Sequence, residues 1–198
     1  MGALVTGNSA KLENKGGNKI VSKAENSIGV YTKDEAEFKN SGELISEHAN
    51  SIGAYADGAK LTNSNLVESK NVGLYAKSSS TVTNSGTIDI KSGNGIVATD
   101  KTTVDLLANG EIKSVVDKAN GIIATNKTTV NLSGTNIELT GDKSNAIYSD
   151  KNSTVNLTNG NVTVGKESLG VYTNNGSVNL ASYTGTFTLG EKSVGIYS

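Results

Sequence analysis

The sequence predicts an all-β fold, a right-handed single-stranded parallel β-helix (β-solenoid) of about eight coils with 20–27 residues each. A six-residue motif, of which Ser-Ile-Gly-Val-Tyr-Thr is one copy, recurs along the whole chain of 198 residues. Between the copies, Val, Ile and Leu alternate with polar residues at the two-residue period of a strand. The chain has 23 Gly and no Pro, as expected where nearly every backbone N–H joins a hydrogen-bonded ladder.

The first predicted strand of each coil is the recurring motif itself. One position of the motif is glycine in all copies but one: Gly2, Gly29, Gly53, Gly73, Gly95, Gly121, Ala146, Gly170 and Gly195. The next position forms an apolar column that is predicted to point into the core: Val30, Ala54, Leu74, Ile96, Ile122, Ile147, Val171 and Ile196. Stacking of these positions, coil upon coil, would bury a continuous row of apolar side chains.

Six of the seven tyrosines share the next position of the motif and form the candidate binding surface: Tyr31, Tyr55, Tyr75, Tyr148, Tyr172 and Tyr197. Val97 and Ile123 interrupt this column. If the apolar column lies inside, the tyrosines lie outside, on a face that we expect them to share with the motif glycines. Two interpretations stay open, a structural stack of aromatic rings and a stacking surface for sugar rings or a partner protein.

Two further short strands complete each predicted coil. The second strand is clearest at 103–106, 129–132 and 154–157, and the third at 87–90, 136–139 and 161–164. Between them lies a second set of punctuating residues, each of a type that accepts positive φ at little cost: Gly16, Gly42, Asn65, Gly86, Gly110, Gly134, Gly160 and Gly185.

Asparagines occupy equivalent places in three successive coils, at Asn94, Asn120 and Asn145. Their amides are predicted to form a hydrogen-bonded ladder along the stack or to cap a corner turn, rather than to bind a ligand. The charged turns, such as Gly141-Asp142-Lys143, are interpreted as solvated edges.

Composition narrows the range of partners and chemistry. The net charge is -1 and all 18 basic residues are Lys, so neither nucleic acid nor an anionic membrane is a predicted partner. The absence of Cys excludes disulfides and thiolate metal sites. His48 has no Ser or Asp motif around it, and the aspartates are scattered along the chain. We therefore predict no catalytic residue, no metal site and no cofactor, and expect that the chain is not an enzyme.

The alternation of Ser-x-Gly-Ile-Tyr-Ala-type motifs with Val-Asn-Leu-x-Asn-Gly segments, in a Lys-only, Asn-rich composition, resembles the passenger regions of the large fusobacterial type V autotransporter adhesins. The resemblance covers residues 2–198. It implies a cell-surface β-helix that mediates adhesion, with a bacterial or host-cell surface protein or glycan as partner. It also implies an extracellular location, with outer-membrane attachment through a C-terminal translocator that is missing here.

On this interpretation residues 1–198 are a single β-helix segment excised from a longer passenger, acting as a stalk or spacer and with a possible binding role. Open strand edges at both terminal coils would then favour end-to-end association or fraying. The alternative function is a carbohydrate-active β-helix enzyme, a polysaccharide lyase or hydrolase, which would need grouped carboxylates on one face. A designed or consensus-like solenoid is a third interpretation, and the irregular repeat length disfavours it.

Overall fold

A computed structural model describes residues 1–198 and contains 25 strands and no helix. Each turn of the chain contributes one strand to each of three parallel sheets, and every strand pairs with its equivalent in the next turn. The predicted β-solenoid of about eight coils, each with three short strands, is therefore confirmed.

The three sheets are defined by their strands. Sheet 1 consists of β1 (Ala3–Thr6), β4 (Ile28–Lys33), β7 (Ile52–Asp57), β10 (Val72–Lys77), β13 (Asn94–Ala98), β16 (Asn120–Ala124), β19 (Asn145–Asp150), β22 (Leu169–Asn174) and β25 (Val194–Tyr197). Sheet 2 consists of β2 (Lys11–Asn14), β5 (Glu37–Asn40), β8 (Lys60–Asn63), β11 (Thr81–Asn84), β14 (Thr103–Leu107), β17 (Thr129–Ser133), β20 (Thr154–Asn159) and β23 (Ser177–Asn179). Sheet 3 consists of β3 (Lys19–Ser22), β6 (Glu43–Ser46), β9 (Leu66–Ser69), β12 (Thr87–Ile90), β15 (Glu111–Ser114), β18 (Asn136–Leu139), β21 (Val162–Val164) and β24 (Phe187–Leu189).

The core is one continuous column of apolar side chains enclosed by the three sheets. A single cluster of 34 buried residues extends along it from Val5 to Val171. The predicted inward column of sheet 1 is confirmed, since its members from Val30 to Val171 are at most 1% exposed and Ile196 packs against the cluster. Each fully buried Ile or Leu stabilises the fold by about 1.5–3 kcal/mol relative to exposure.

The motif glycines lie where the backbone of the next coil comes close. A Cβ atom on Gly53 would stand 2.6 Å from the carbonyl oxygen of Gly73 and 3.3 Å from the side chain of Leu44 in sheet 3. The expectation that these glycines share a face with the tyrosines is therefore wrong. Ile52 and Ala54 pair with residues of the neighbouring strands, but Gly53 between them does not. Because Gly53 and Ala54 are both buried, the strand bends here and two successive residues face inward.

Among the second set of punctuating residues, Gly134 and Gly160 use their tolerance of positive φ, with φ of 127° and 107°. The other six, Gly16, Gly42, Asn65, Gly86, Gly110 and Gly185, do not have positive φ. Close approach is the requirement at Gly42, where a Cβ atom would stand 2.4 Å from the carbonyl oxygen of Asn18. Left-handed residues occur singly in the turns between sheets 3 and 1, at Asn26, Lys118, Lys143, Glu167 and Lys192. They occur as consecutive pairs at the corner between sheets 1 and 2: Asp34 and Glu35, Ser78 and Ser79, Asp100 and Lys101, Asn126 and Lys127, Lys151 and Asn152.

Side-chain amides form ladders along the stack, and the predicted ladder is confirmed. Asn120 donates to the Oδ1 atom of Asn94 at 3.0 Å, and Asn145 donates to that of Asn120 at 2.8 Å. A second ladder is buried and lies at the last residue of each of the first four strands of sheet 2. It comprises Asn14, Asn40, Asn63 and Asn84. Sequence reasoning missed it, although an Asn at the end of four successive second strands was the available signal.

The buried hydroxyl of Ser149 makes no hydrogen bond, and neither does that of Thr173 in the next coil. Ala124 occupies the equivalent place in the coil before. Because a desolvated hydroxyl without a partner costs free energy, Ser149→Ala is expected to raise the free energy of unfolding by about 1 kcal/mol, measured by urea denaturation.

Ser46 supplies the matched control for this prediction. Its buried hydroxyl donates to the carbonyl oxygen of Ser51 at 3.0 Å and lies 2.6 Å from the hydroxyl of the same residue. Ser46→Ala should therefore lower the free energy of unfolding by about 1–2 kcal/mol. A lower urea midpoint for Ser149→Ala than for the unmodified protein would contradict the argument.

Candidate functional site

The outward side of sheet 1 carries the candidate binding surface, which we call the tyrosine face. Its central column runs in unbroken register from coil to coil: Leu4, Tyr31, Tyr55, Tyr75, Val97, Ile123, Tyr148, Tyr172 and Tyr197. None of these side chains packs against the core cluster. The sequence prediction that the tyrosines stand outside the core is confirmed, and most are half-buried by their neighbours along the column.

The tyrosine rings stack on one another along the axis of the rod. The ring centroids of Tyr55 and Tyr75 are 4.8 Å apart with an interplanar angle of 11°, and those of Tyr172 and Tyr197 are 5.5 Å apart at the same angle. Tyr31 meets Tyr55 edge to face at 5.0 Å. Nearly parallel rings at such distances overlap face to face with an offset, so most ring faces are already occupied. The column consequently presents ring edges and hydroxyl groups to solvent.

A second outward column begins the strands of sheet 1 and is apolar at both ends of the rod. It comprises Ile28, Ile52, Val72, Asn94, Asn120, Asn145, Leu169 and Val194. The three asparagines of the confirmed ladder form its middle part. The tyrosine face therefore has two apolar and aromatic ends, separated by a zone of amides beside Val97 and Ile123.

A small charged group flanks the tyrosines in the first half of the rod. The Nζ atom of Lys77 is 3.1 Å from a carboxylate oxygen of Asp57 and 5.9 Å from the ring centroid of Tyr55. The pKa of Asp57 is lowered, mainly by a hydrogen bond from Ser78 and to a smaller extent by the contact with Lys77. The hydrogen bond with Asp57 raises the pKa of Lys77. Burial raises the pKa of the Tyr55 hydroxyl. Near neutral pH this part of the face thus carries a charged Lys–Asp pair beside the neutral hydroxyl of Tyr55.

The outer side of sheet 3 holds a surface pocket of about 340 Å³, beneath the segment that contains Val115. Its charged lining is already paired, because Lys91 lies 2.8 Å from Asp89 and Lys113 lies 2.9 Å from Glu111. In each pair the side-chain hydrogen bond raises the pKa of the lysine. These lysines are therefore held in the charged form, in which they are hydrogen-bond donors and not bases.

His48 lies in the turn between sheets 3 and 1, where its Nδ1 atom accepts a hydrogen bond from the backbone N–H of Asn50 at 3.3 Å. The hydroxyl of nearby Ser51 donates to the backbone carbonyl of His48 and not to its ring. No group of three or more His, Asp or Glu side chains in the chain has an arrangement that could hold a metal ion.

The seventh tyrosine, Tyr183, has a different role from the six in the column. Its hydroxyl donates to the carbonyl oxygen of Gly160 at 2.8 Å, and its ring packs 5.6 Å from that of Phe187. Burial raises the pKa of this hydroxyl. Tyr183 thus packs against the core near the last complete coil.

Comparison of the chain with protein-family models, with curated proteins and with solved structures gave no match. The structure contains no helix that is long and apolar enough to cross a membrane.

Proposed function

We propose that this chain is a segment of a cell-surface adhesin passenger, a stiff rod that displays the tyrosine face to a protein partner. One observation carries the proposal: a central column of aromatic and aliphatic side chains continues without interruption along one side of an unbranched solenoid. Eight coils at about 4.8 Å per coil give a rod of about 40 Å, and the stacked ladders suit it to hold apart the structures at its two ends.

The direction of the rings favours a protein over a sugar as the partner. A sugar ring would pack on an open aromatic face, whereas the faces of Tyr55, Tyr75, Tyr148 and Tyr172 are turned toward one another. Edges and hydroxyls bordered by aliphatic side chains are typical of protein interfaces, in which Tyr is enriched. We therefore place a bacterial or host-cell surface protein on this face, and a glycan becomes an outcome of the test.

An extracellular location and anchoring by a translocator in the full-length parent belong to the same proposal. Surface exposure suits a chain without cysteine, whose turns are short and whose outer faces carry paired Lys and carboxylate side chains. Cleavage of a polysaccharide by the purified chain would contradict the proposal and restore the enzyme alternative.

The proposal predicts that adhesion depends on the tyrosine face. Beads coated with the chain should bind bacterial or host cells, and Tyr55→Ser combined with Tyr172→Ser should reduce bound cells at least about tenfold, equivalent to about 1.4 kcal/mol, since buried aromatic residues dominate interface energetics. Each lost ring pair costs the fold about 0.5–1.5 kcal/mol, so folding is verified by circular dichroism.

The matched control changes two outward residues of sheet 2, Lys39→Ser with Lys60→Ser, and should leave adhesion unchanged. Tyr172→Phe separates the hydroxyl from the ring, because it keeps the stack with Tyr148 and Tyr197. Equal adhesion of the double tyrosine variant and the unmodified chain would overturn the proposed role of the face. Inhibition by free glycans, and not by surface proteins, would assign the face to sugars instead.

A further inference from the structure

We infer that the tyrosine face binds a second copy of this chain, with the two rods lying face to face and antiparallel. The inference rests on the proposed function, in that it names the partner of the same face.

Over its eight coils from Tyr31 to Tyr197, the central column of the face is symmetrical in residue class, with three tyrosines on each side of two aliphatic residues. From Tyr31 to Tyr197 it runs Tyr, Tyr, Tyr, Val, Ile, Tyr, Tyr, Tyr, with its midpoint between Val97 and Ile123, and Leu4 of the first coil continues it beyond Tyr31. The second outward column, from Ile28 to Val194, is nearly symmetrical about the same midpoint, with aliphatic residues at both ends and asparagines between them. The two halves of the rod thus present nearly equivalent surfaces in mirrored order.

A symmetrical pattern of this kind suits a two-fold interface, in which one patch meets its own copy. Two sheets packed face to face have their two-fold axis in the plane between them. If the axis follows the strand direction, the order of coils is reversed and each column meets the same column of the partner. Tyr75 would then oppose Tyr148, Tyr55 would oppose Tyr172, and Val97 would oppose Ile123.

A third outward column, two positions after the central one, decides between antiparallel and parallel rods; it comprises Lys33, Asp57, Lys77, Thr99, Thr125, Asp150 and Asn174. In the antiparallel arrangement Lys77 opposes Asp150 of the second copy, and Thr99 opposes Thr125. In the parallel arrangement the two outer columns exchange places, so that Lys77 would oppose Val72 and remove its charge from water. Antiparallel rods place opposite charges against each other, whereas parallel rods place a charge against an aliphatic side chain. This difference favours the antiparallel pair.

The face is large enough for a specific interface. Eight coils at about 4.8 Å and strands of six residues at about 3.3 Å per residue give roughly 38 by 20 Å, or about 750 Å². A standard protein–protein interface buries about 800 Å² on each partner. The half-exposed aromatic centre and the polar outer column also match the usual arrangement of a core and a rim.

Thiol cross-linking tests this geometry, because the chain contains no cysteine of its own. Two single variants, Tyr55→Cys and Tyr172→Cys, are treated separately and as a mixture with a bis-maleimide that spans the roughly 10 Å between packed sheets. The antiparallel pair brings Cys at 55 opposite Cys at 172 and leaves like positions five coils, or about 24 Å, apart. The mixture should cross-link at least about tenfold more than either variant alone.

Sedimentation of the uncross-linked chain supplies the second arm. Lys77→Asp should weaken dimerisation at least about tenfold, because it opposes Asp150 of the second copy, and the exchange Lys77→Asp with Asp150→Lys should restore it. Cross-linking of Tyr55→Cys alone would indicate parallel rods, and self-association insensitive to these variants would indicate end-to-end contact. Either result, or a monomer at every concentration tested, overturns the inference.

The outcome for the dimer is distinguishable from that for the proposed function. A monomeric chain whose adhesion to cells still depends on Tyr55 and Tyr172 would refute the dimer and leave the adhesin proposal standing. Dimerisation of a chain that binds no cells would do the reverse.

Discussion

Replacement of Gly121 by valine is expected to unfold the middle of the rod, lowering the free energy of unfolding by more than about 4 kcal/mol. A Cβ atom at this position would stand 2.5 Å from the carbonyl oxygen of Ala146 in the next coil, a distance that requires the backbone to move. That oxygen belongs to a backbone that the ladders of three sheets hold in place. The two γ-carbons of valine would add to the clash, because Ile137 of sheet 3 lies 3.5 Å from the same point.

Urea denaturation followed by circular dichroism measures the effect, and hydrogen exchange locates it. Because each coil contacts only its neighbours, the coils near Gly121 should lose protection before those at Gly53. Ala146 offers the matched control, since it occupies the motif position naturally and is fully buried. Ala146→Gly should cost about 1 kcal/mol or less, and a Gly121→Val protein with an unchanged urea midpoint would contradict the packing argument.

The fold was predictable because a single repeated signal sets it. The alternation in 129–132 and 154–157 assigned inward and outward residues correctly. Recurrence of the motif once in every coil set the register, as the pairing of Val130 with Val155 confirms. In a parallel stack each coil repeats the environment of the one before, so one correct assignment extends to all coils. The same reasoning located the inward column of sheet 1 and the ladder at Asn94, Asn120 and Asn145.

The features that sequence reasoning missed depend on close approach between coils. Strict alternation places Gly53 on the outer face, and only the bend in β7 turns it inward. Glycine in a turn suggests positive φ, whereas Gly42 is needed for its small size against the carbonyl of Asn18. Neither distance is encoded in the order of the residues, because both arise from how far one coil lies from the next.

The candidate site was predicted in position and only partly in character. Spacing alone placed the six tyrosines in one outward column, and the structure confirms that placement. The orientation of the rings depends on side-chain rotamers, which are selected by contacts with neighbours along the stack. The sequence alone could therefore not decide against the interpretation of the column as a sugar-stacking surface. Stacked pairs such as Tyr148 and Tyr172, at 5.2 Å, now favour contacts through edges and hydroxyls.

Replacement of Asn63 by leucine is expected to lower the free energy of unfolding by about 2–5 kcal/mol, because it interrupts the buried ladder at an internal position. Asn63 accepts a hydrogen bond from Asn40 at 2.8 Å and donates to Asn84 at 2.8 Å and to the carbonyl oxygen of Asn65 at 2.9 Å. The substitution would leave the Oδ1 atom of Asn84, which is fully buried, without a donor. Urea denaturation measures the loss.

The matched control is Asn84→Leu, at the end of the same ladder. The next three coils carry leucine at this position, at Leu106, Leu132 and Leu157, so the new side chain would extend an existing apolar column. Its cost should be smaller, since Asn63 keeps the carbonyl of Asn65 as an acceptor. In the double variant the unpaired Oδ1 atom of Asn84 is gone, so its destabilisation should fall short of the sum of the single effects by about 1–3 kcal/mol. Strict additivity of the two substitutions would show that the amides act separately and that the ladder is not a connected network.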